Sequence, residues 1–140
     1  MSLAIPVSKH DVGLLIIRGM VGFILFYHGA QKLFGWFGGH GLAGFASYLK
    51  DKKVPMPEVN AYVAGGTEFL GGILLMVGLL TRLVCLPAAF TMAVAFAVGH
   101  GGKFNVLSGG GEYAFTLCVV LIGLALTGAG RISADARVFK

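Results

Sequence analysis

Residues 12–37, VGLLIIRGMVGFILFYHGAQKLFGWF, form an apolar run long enough to cross a bilayer, and Arg18 sits inside it. A spanning helix needs about 20 residues at ~1.5 Å of rise each. An arginine at bilayer depth is expensive, on the order of 2.5–3.5 kcal/mol on insertion scales. Arg18 therefore demands a partner or a wet cavity from the rest of the chain. The same run also carries His28, Gln31 and Lys32.

Three further apolar runs follow. The first spans are expected over 12–34 and 59–80, the next over 83–99 and 112–128. None alternates strictly, and in the hydrocarbon core only helices or closed barrels satisfy the backbone, so helices are predicted. Composition agrees: 12% of the 140 residues are charged, where soluble domains carry about 25%. The sequence thus predicts an all-α membrane protein, a single membrane domain over 1–140. Its architecture is a four-transmembrane-helix bundle with both termini on one side. The 35–59 connection contains LAGFASYLK, with Leu42, Phe45 and Leu49 at helical spacing. That pattern predicts a short interfacial helix anchored by Trp36 and Tyr48. Lys50, Lys52 and Lys53 then read as a solvated loop before Pro55 and Pro57. Residues 1–11 read as a short polar tail, with no cleavable leader.

The net charge of +5 comes from residues beside apolar runs, not from a basic stripe, so nucleic acid is excluded as a partner. Cys85 and Cys118 lie in separate runs and read as small buried hydrophobes. Gly39–Gly44 matches G-x-G-x-x-G, but it follows a membrane span rather than a strand and carries no dinucleotide reading.

Depth along the helices gathers the polar residues. With ~1.5 Å per residue, Arg18 lies ~9 Å in from the side of the termini and His28 ~24 Å in. Glu68, returning on the second span, lies ~12–14 Å from the opposite side. His100 ends the third span and Glu112 begins the fourth at that opposite side. His28, Gln31, Lys32, Glu68, His100 and Glu112 therefore fall in one third of the bundle, with Arg18 deeper. Two readings stand side by side. A buried ion pair of Arg18 with Glu68 or Glu112 can simply fix helix register. Alternatively the cluster is a site, with His28, Glu68 and His100 moving protons and Gln31, Lys32, Glu112 and Arg18 holding a ligand. Two histidines at like depth are also compatible with a haem, while the lack of a second His at helical spacing predicts no zinc site.

Several segments resemble the DoxX family of small bacterial four-helix membrane proteins. They are LLIIRGMVGFILFYHGAQKLFGWFGG, AGGTEFLGGILLMVGLLTRL, the His100 end with its Gly-rich linker, GEYAFTL, and the tail GAGRISAD with Ser133 and Asp135. The resemblance covers nearly the whole chain and is especially close to members linked to catechol and quinone stress. It implies redox chemistry and detoxification of quinones or thiol oxidants, sometimes beside soluble enzymes. The family's polar positions fall on Arg18, His28, Gln31, Lys32, Glu68, His100 and Glu112. The expectation is a membrane oxidoreductase, or a subunit of one, acting on a quinone-like or small aromatic compound. Quinone is the leading cofactor expectation, and haem on His28 and His100 the second. A non-enzymatic scaffold for soluble redox proteins and a small-molecule transporter are the rival classes. Membrane lipid, a soluble redox partner and a second copy of the chain are the expected partners. The expected location is the bacterial inner membrane, with cytoplasmic termini.

Overall fold

The computed structural model describes residues 6–139. Of the polar tail expected at 1–11, residues 1–5 lie outside the described residues. Helix α1 spans Lys9–Phe34, α2 Gly41–Asp51, α3 Pro57–Val77, α4 Thr81–Val94, α5 Glu112–Thr127 and α6 Asp135–Val138. A π-helical turn, Ala95–Gly99, extends α4. Short 3-10 turns occupy Trp36–Gly38 and Val106–Ser108. Among the described residues all regular structure is helical.

Helix α1 starts earlier than its apolar run. Ser8 and Asp11 form a capping box: the Asp11 N–H donates to Ser8 Oγ at 3.2 Å, and the Ser8 N–H donates to Asp11 Oδ2 at 2.9 Å. Two of the free N–H groups at the helix start are thereby satisfied, which pulls Lys9–Asp11 into the helix. Helix α3 starts at Pro57, whose missing N–H is harmless in the first turn. It stops at Val77 rather than 80, because Gly78 takes a left-handed conformation (φ 74°) and closes the end. The Leu79 N–H reaches back to Leu74 O at 2.9 Å, the pattern of a Schellman C-cap.

The helices α1, α3 and α4 with its π turn are long and apolar enough to cross a membrane. Helix α5 is apolar but has 16 residues, about 24 Å of rise against a hydrocarbon core of ~30 Å. The segment expected to lie in the interface is helical, as α2, and packs on α1 and α3.

Glycine sets the α1–α3 contact. A Cβ on Gly22 would lie 2.7 Å from the carbonyl oxygen of Gly72, and one on Gly29 would collide with the Phe69 backbone. Small residues let two helix backbones approach this closely. The contact fixes an antiparallel register in which Arg18 is level with Leu75–Met76, Gly29 with Glu68–Phe69 and Lys32 with Glu68. Helices α4 and α5 form the second closely packed pair, and the main apolar cluster runs between the pairs through Leu25, Leu75, Cys85, Ala88 and Leu121.

Candidate functional site

The α1–α3 register decides where each charge goes. Arg18 is 1% exposed and meets no glutamate. Its Nη1 donates to the carbonyls of Leu75 and Met76, both at 2.7 Å, and its Nη2 donates to Ile132 O at 2.6 Å. The expected ion pair of Arg18 with Glu68 or Glu112 is thus replaced by three backbone acceptors. The reason is axial: Arg18 sits seven to eight residues down α3 from Glu68, about 11 Å away along the helix. A helix C-terminus presents unpaired carbonyls and partial negative charge, which suits a guanidinium fork.

The polar sequence GRISAD completes this end. Asp11 Oδ1 accepts from the Arg131 N–H at 3.0 Å. Asp135 accepts from the N–H groups of Leu80 and Thr81, at 2.6 and 3.0 Å, and so caps α4 from a distant part of the chain. Arg18 and Asp135 together fasten the C-terminal segment to the α3–α4 turn.

Glu68 takes the other cation. Lys32 Nζ lies 2.5 Å from Glu68 Oε1 and 5.0 Å from the centre of the Phe45 ring on α2. Lys32 is therefore held between a carboxylate and an aromatic face, and its side chain keeps 28% exposure. Glu68 is fully buried, and its second oxygen, Oε2, has no hydrogen-bond partner among the protein groups. A buried carboxylate oxygen without a donor is unfavourable by about 1–3 kcal/mol or more.

Glu68 and Lys32 line a cavity of about 950 Å³ bounded by α2, α3 and the α4 end. Gln31, His40, Tyr48, Thr91 and His100 also contribute to its wall, and Lys52 and Lys53 stand at its polar mouth. Its size is in the usual range for a small-molecule site, and its lining is mostly apolar with a few convergent polar groups. The π turn Ala95–Gly99 forms part of the wall, and such turns recur at functional sites.

The other expected site residues divide. Gln31 lines the cavity, and its Nε2 donates to Phe37 O at 3.3 Å. That bond helps hold Phe37 in a left-handed conformation (φ 55°), with its ring stacked on Tyr27 at 4.5 Å. Gly39 lies flat on the Gln31 backbone, where a Cβ would come within 2.5 Å of Gln31 Cα. The Gly-rich turn is thus needed for close approach to α1. His28 stands beside the cavity rather than in its wall, with Nδ1 2.9 Å from Gln31 Oε1 and its ring edge-on to Tyr113 at 6.4 Å. His100 lines the cavity, with Nδ1 3.2 Å from Gly109 O and its ring against Gly111. Glu112 lies elsewhere, in a shallow depression of about 500 Å³ with Phe104, Val106, Tyr113 and Thr116. Among the described residues no group of three His, Cys, Asp or Glu side chains is placed to hold a metal.

The sequence reads Tyr48 as an interfacial anchor and Lys52 and Lys53 as a solvated loop or a docking surface for a soluble partner, and it does not announce Phe45 as the face over Lys32. The signal was present in the amphipathic spacing of Leu42, Phe45 and Leu49, which gives α2 an inner face.

The DoxX family profile matches residues 13–101. The chain belongs to the DoxX family. The matched stretch contains every cavity residue named above, from Gln31 to His100, and leaves out Glu112 and the GRISAD tail. A Bacillus subtilis (strain 168) protein named "Putative oxidoreductase CatD" is 33% identical over 134 residues, covering 95% of this chain and 92% of the relative. Two Haemophilus influenzae proteins, both named as uncharacterized, are also similar. One is 29% identical, covering 91% of each chain. The other is 31% identical, covering 92% of this chain and 85% of the relative. No solved structure matches the chain significantly. DoxX membership and the long apolar helices make this a membrane protein.

Proposed function

We propose that this DoxX protein is an integral membrane oxidoreductase, or the membrane subunit of one, whose cavity binds a quinone-like or other small hydroxylated aromatic compound. The observation that carries the reading is the buried, unpartnered Oε2 of Glu68 beside a roomy cavity. A ligand hydroxyl donating to Oε2 would satisfy it once the side chains that cover this oxygen give way, since Glu68 has almost no accessible surface. Lys32 holds Oε1 and fixes the carboxylate, leaving Oε2 free to accept the proton that such a hydroxyl loses on oxidation. His100 and Gln31 are the further polar groups within the wall, and His28 acts through Gln31. The side chains of the cavity do not carry electron pairs by themselves, so a redox partner takes the electrons. The mouth at Lys52 and Lys53 suits an acidic soluble partner. The oxidoreductase name borne by the Bacillus relative supports the same class. Arg18 and Glu112 have no part in this site.

In the membrane arrangement we propose, α5 is the fourth span and α2 lies in the interface as the cavity's roof. The chain is a single domain of the bacterial inner membrane with cytoplasmic termini, and two copies associate. The test is a bacterial host sensitive to catechols and quinones, expressing the wild type, Glu68→Gln or Lys32→Met. The expected result is that the wild type protects, that Glu68→Gln loses protection at equal membrane abundance, and that Lys32→Met loses it per folded molecule in the membrane. Undiminished protection by Glu68→Gln at normal abundance refutes the proposal.

A further inference from the structure

The cavity beside Glu68 has two kinds of boundary. Its mouth carries Lys52 and Lys53 and faces water. Its flank does not. Val63 of α3 and Phe90 and Val94 of α4 line the cavity and keep large accessible areas, 59% for Val63 and 71% for Phe90. On a membrane-spanning helix such apolar side chains face lipid, so the flank is a gap onto acyl chains. The path inward is short. Glu68 follows Val63 by five residues, about 7.5 Å of helix rise.

The shape of the α3–α4 pair explains the gap. The helices meet near their connection, where a Cβ on Gly71 would touch Val84 at 3.3 Å. Toward the other end α2 bridges them instead. There a Cβ on Gly99 would lie 3.2 Å from the Tyr48 hydroxyl, so Tyr48 rests on the π turn and closes the roof. Between the Gly71–Val84 contact below and the Tyr48–Gly99 contact above, the apolar side chains of Val63, Phe90 and Val94 line the wall beside Ala64, Thr91 and Ala95.

We infer that the ligand reaches Glu68 sideways from the bilayer through this gap, and that it is an amphiphile. Its small polar head sits by Glu68 and Lys32, and its apolar tail remains among Val63, Phe90 and Val94. The inference rests on the reading of the cavity as a ligand site and adds the ligand class and the route. Lipid solvates a tail about as well as the gap does, so the tail adds little contact energy. It adds supply, because the ligand is concentrated in the phase onto which the gap opens. A compound without a tail arrives through the lysine mouth and does not depend on the gap.

The experiment uses the full chain in lipid nanodiscs and two tritiated probes, a benzoquinol with a decyl tail and the same ring with a methyl group instead. Val63→Trp with Val94→Trp fills the gap from lipid-exposed positions. The affinity for the decyl probe is expected to fall about tenfold or more, while that for the methyl probe stays within about twofold. Retained methyl binding also reports an intact fold, and either single tryptophan variant is read in the same way if the pair does not reach the membrane. Unchanged decyl binding overturns the inference, and so does an equal loss of both probes. Glu68→Gln separates the two layers. If it abolishes methyl binding while the tryptophans leave decyl binding intact, the head site stands and the sideways route falls. If it alters neither probe, the site falls and the route with it.

Discussion

Replacing Arg18 by methionine isolates a structural charge from a functional one. Methionine keeps much of the length and apolar stem but removes all donors. Three carbonyls lose their partner: Leu75 O, Met76 O and Ile132 O. Leu75 O still accepts from the Gly78 N–H at 3.2 Å, so it is not left bare. Two carbonyls are orphaned, at ~1–3 kcal/mol each. Relief of the guanidinium's own desolvation offsets part of this, which leaves a net loss of about 2–4 kcal/mol. Arg18→Lys should fall between, since one ammonium cannot span acceptors on both α3 and the tail as the fork does. Thermal or denaturant unfolding in micelles reads the loss. Ligand binding per folded molecule is expected to stay at the wild-type level, because Glu68 sits about 11 Å further along α3. A variant as stable as the wild type, or one that is stable but unable to bind ligand, would refute this assignment of Arg18.

Further outcomes follow from the same contacts. Lys32→Met strands a buried carboxylate and should destabilise by about 3–5 kcal/mol, with much of the loss recovered in the Lys32→Met/Glu68→Gln double variant; a double-mutant cycle by unfolding checks this. Gly29→Ala, which drives a methyl into the Phe69 backbone, should abolish accumulation of folded protein, whereas Gly19→Ala, with open space around it, should not; membrane abundance by immunoblot separates them. Asp135→Ala should cost about 1–2 kcal/mol by uncapping α4, and Asp135→Asn should recover part of it, as read by unfolding midpoints.

The apolar runs made the helices legible, and the Gly-rich linker made the turn after α1 legible too. Helix ends were less so where a local cap outweighed hydropathy, as the Ser8–Asp11 box did at the start of α1 and Gly78 did at the end of α3. The polar residues of the site were legible as residue types spaced along the apolar runs. Their pairing was not, because it depends on the axial register of α1 against α3, which Gly22, Gly29 and Gly72 set by backbone contact. A shift of two turns would have put Arg18 beside Glu68. The role of the tail was hidden for a different reason. Ile132 contributes a backbone carbonyl, which no side-chain pattern announces, and Asp135 acts on N–H groups 54 and 55 residues away.

The bond from Arg18 to Ile132 joins residues 114 positions apart. During synthesis α1 is made long before either of its acceptor segments. Arg18 enters the membrane ahead of the α3 carbonyls, and its acceptor at Ile132 arrives only after α5 has been made. Until then the first helix carries an incompletely satisfied charge at bilayer depth, which favours a shallow or water-exposed resting place near the insertion machinery. Arrival of Ile132 is then the step that completes the seating of α1, so a segment made after α5 acts on a helix made long before it.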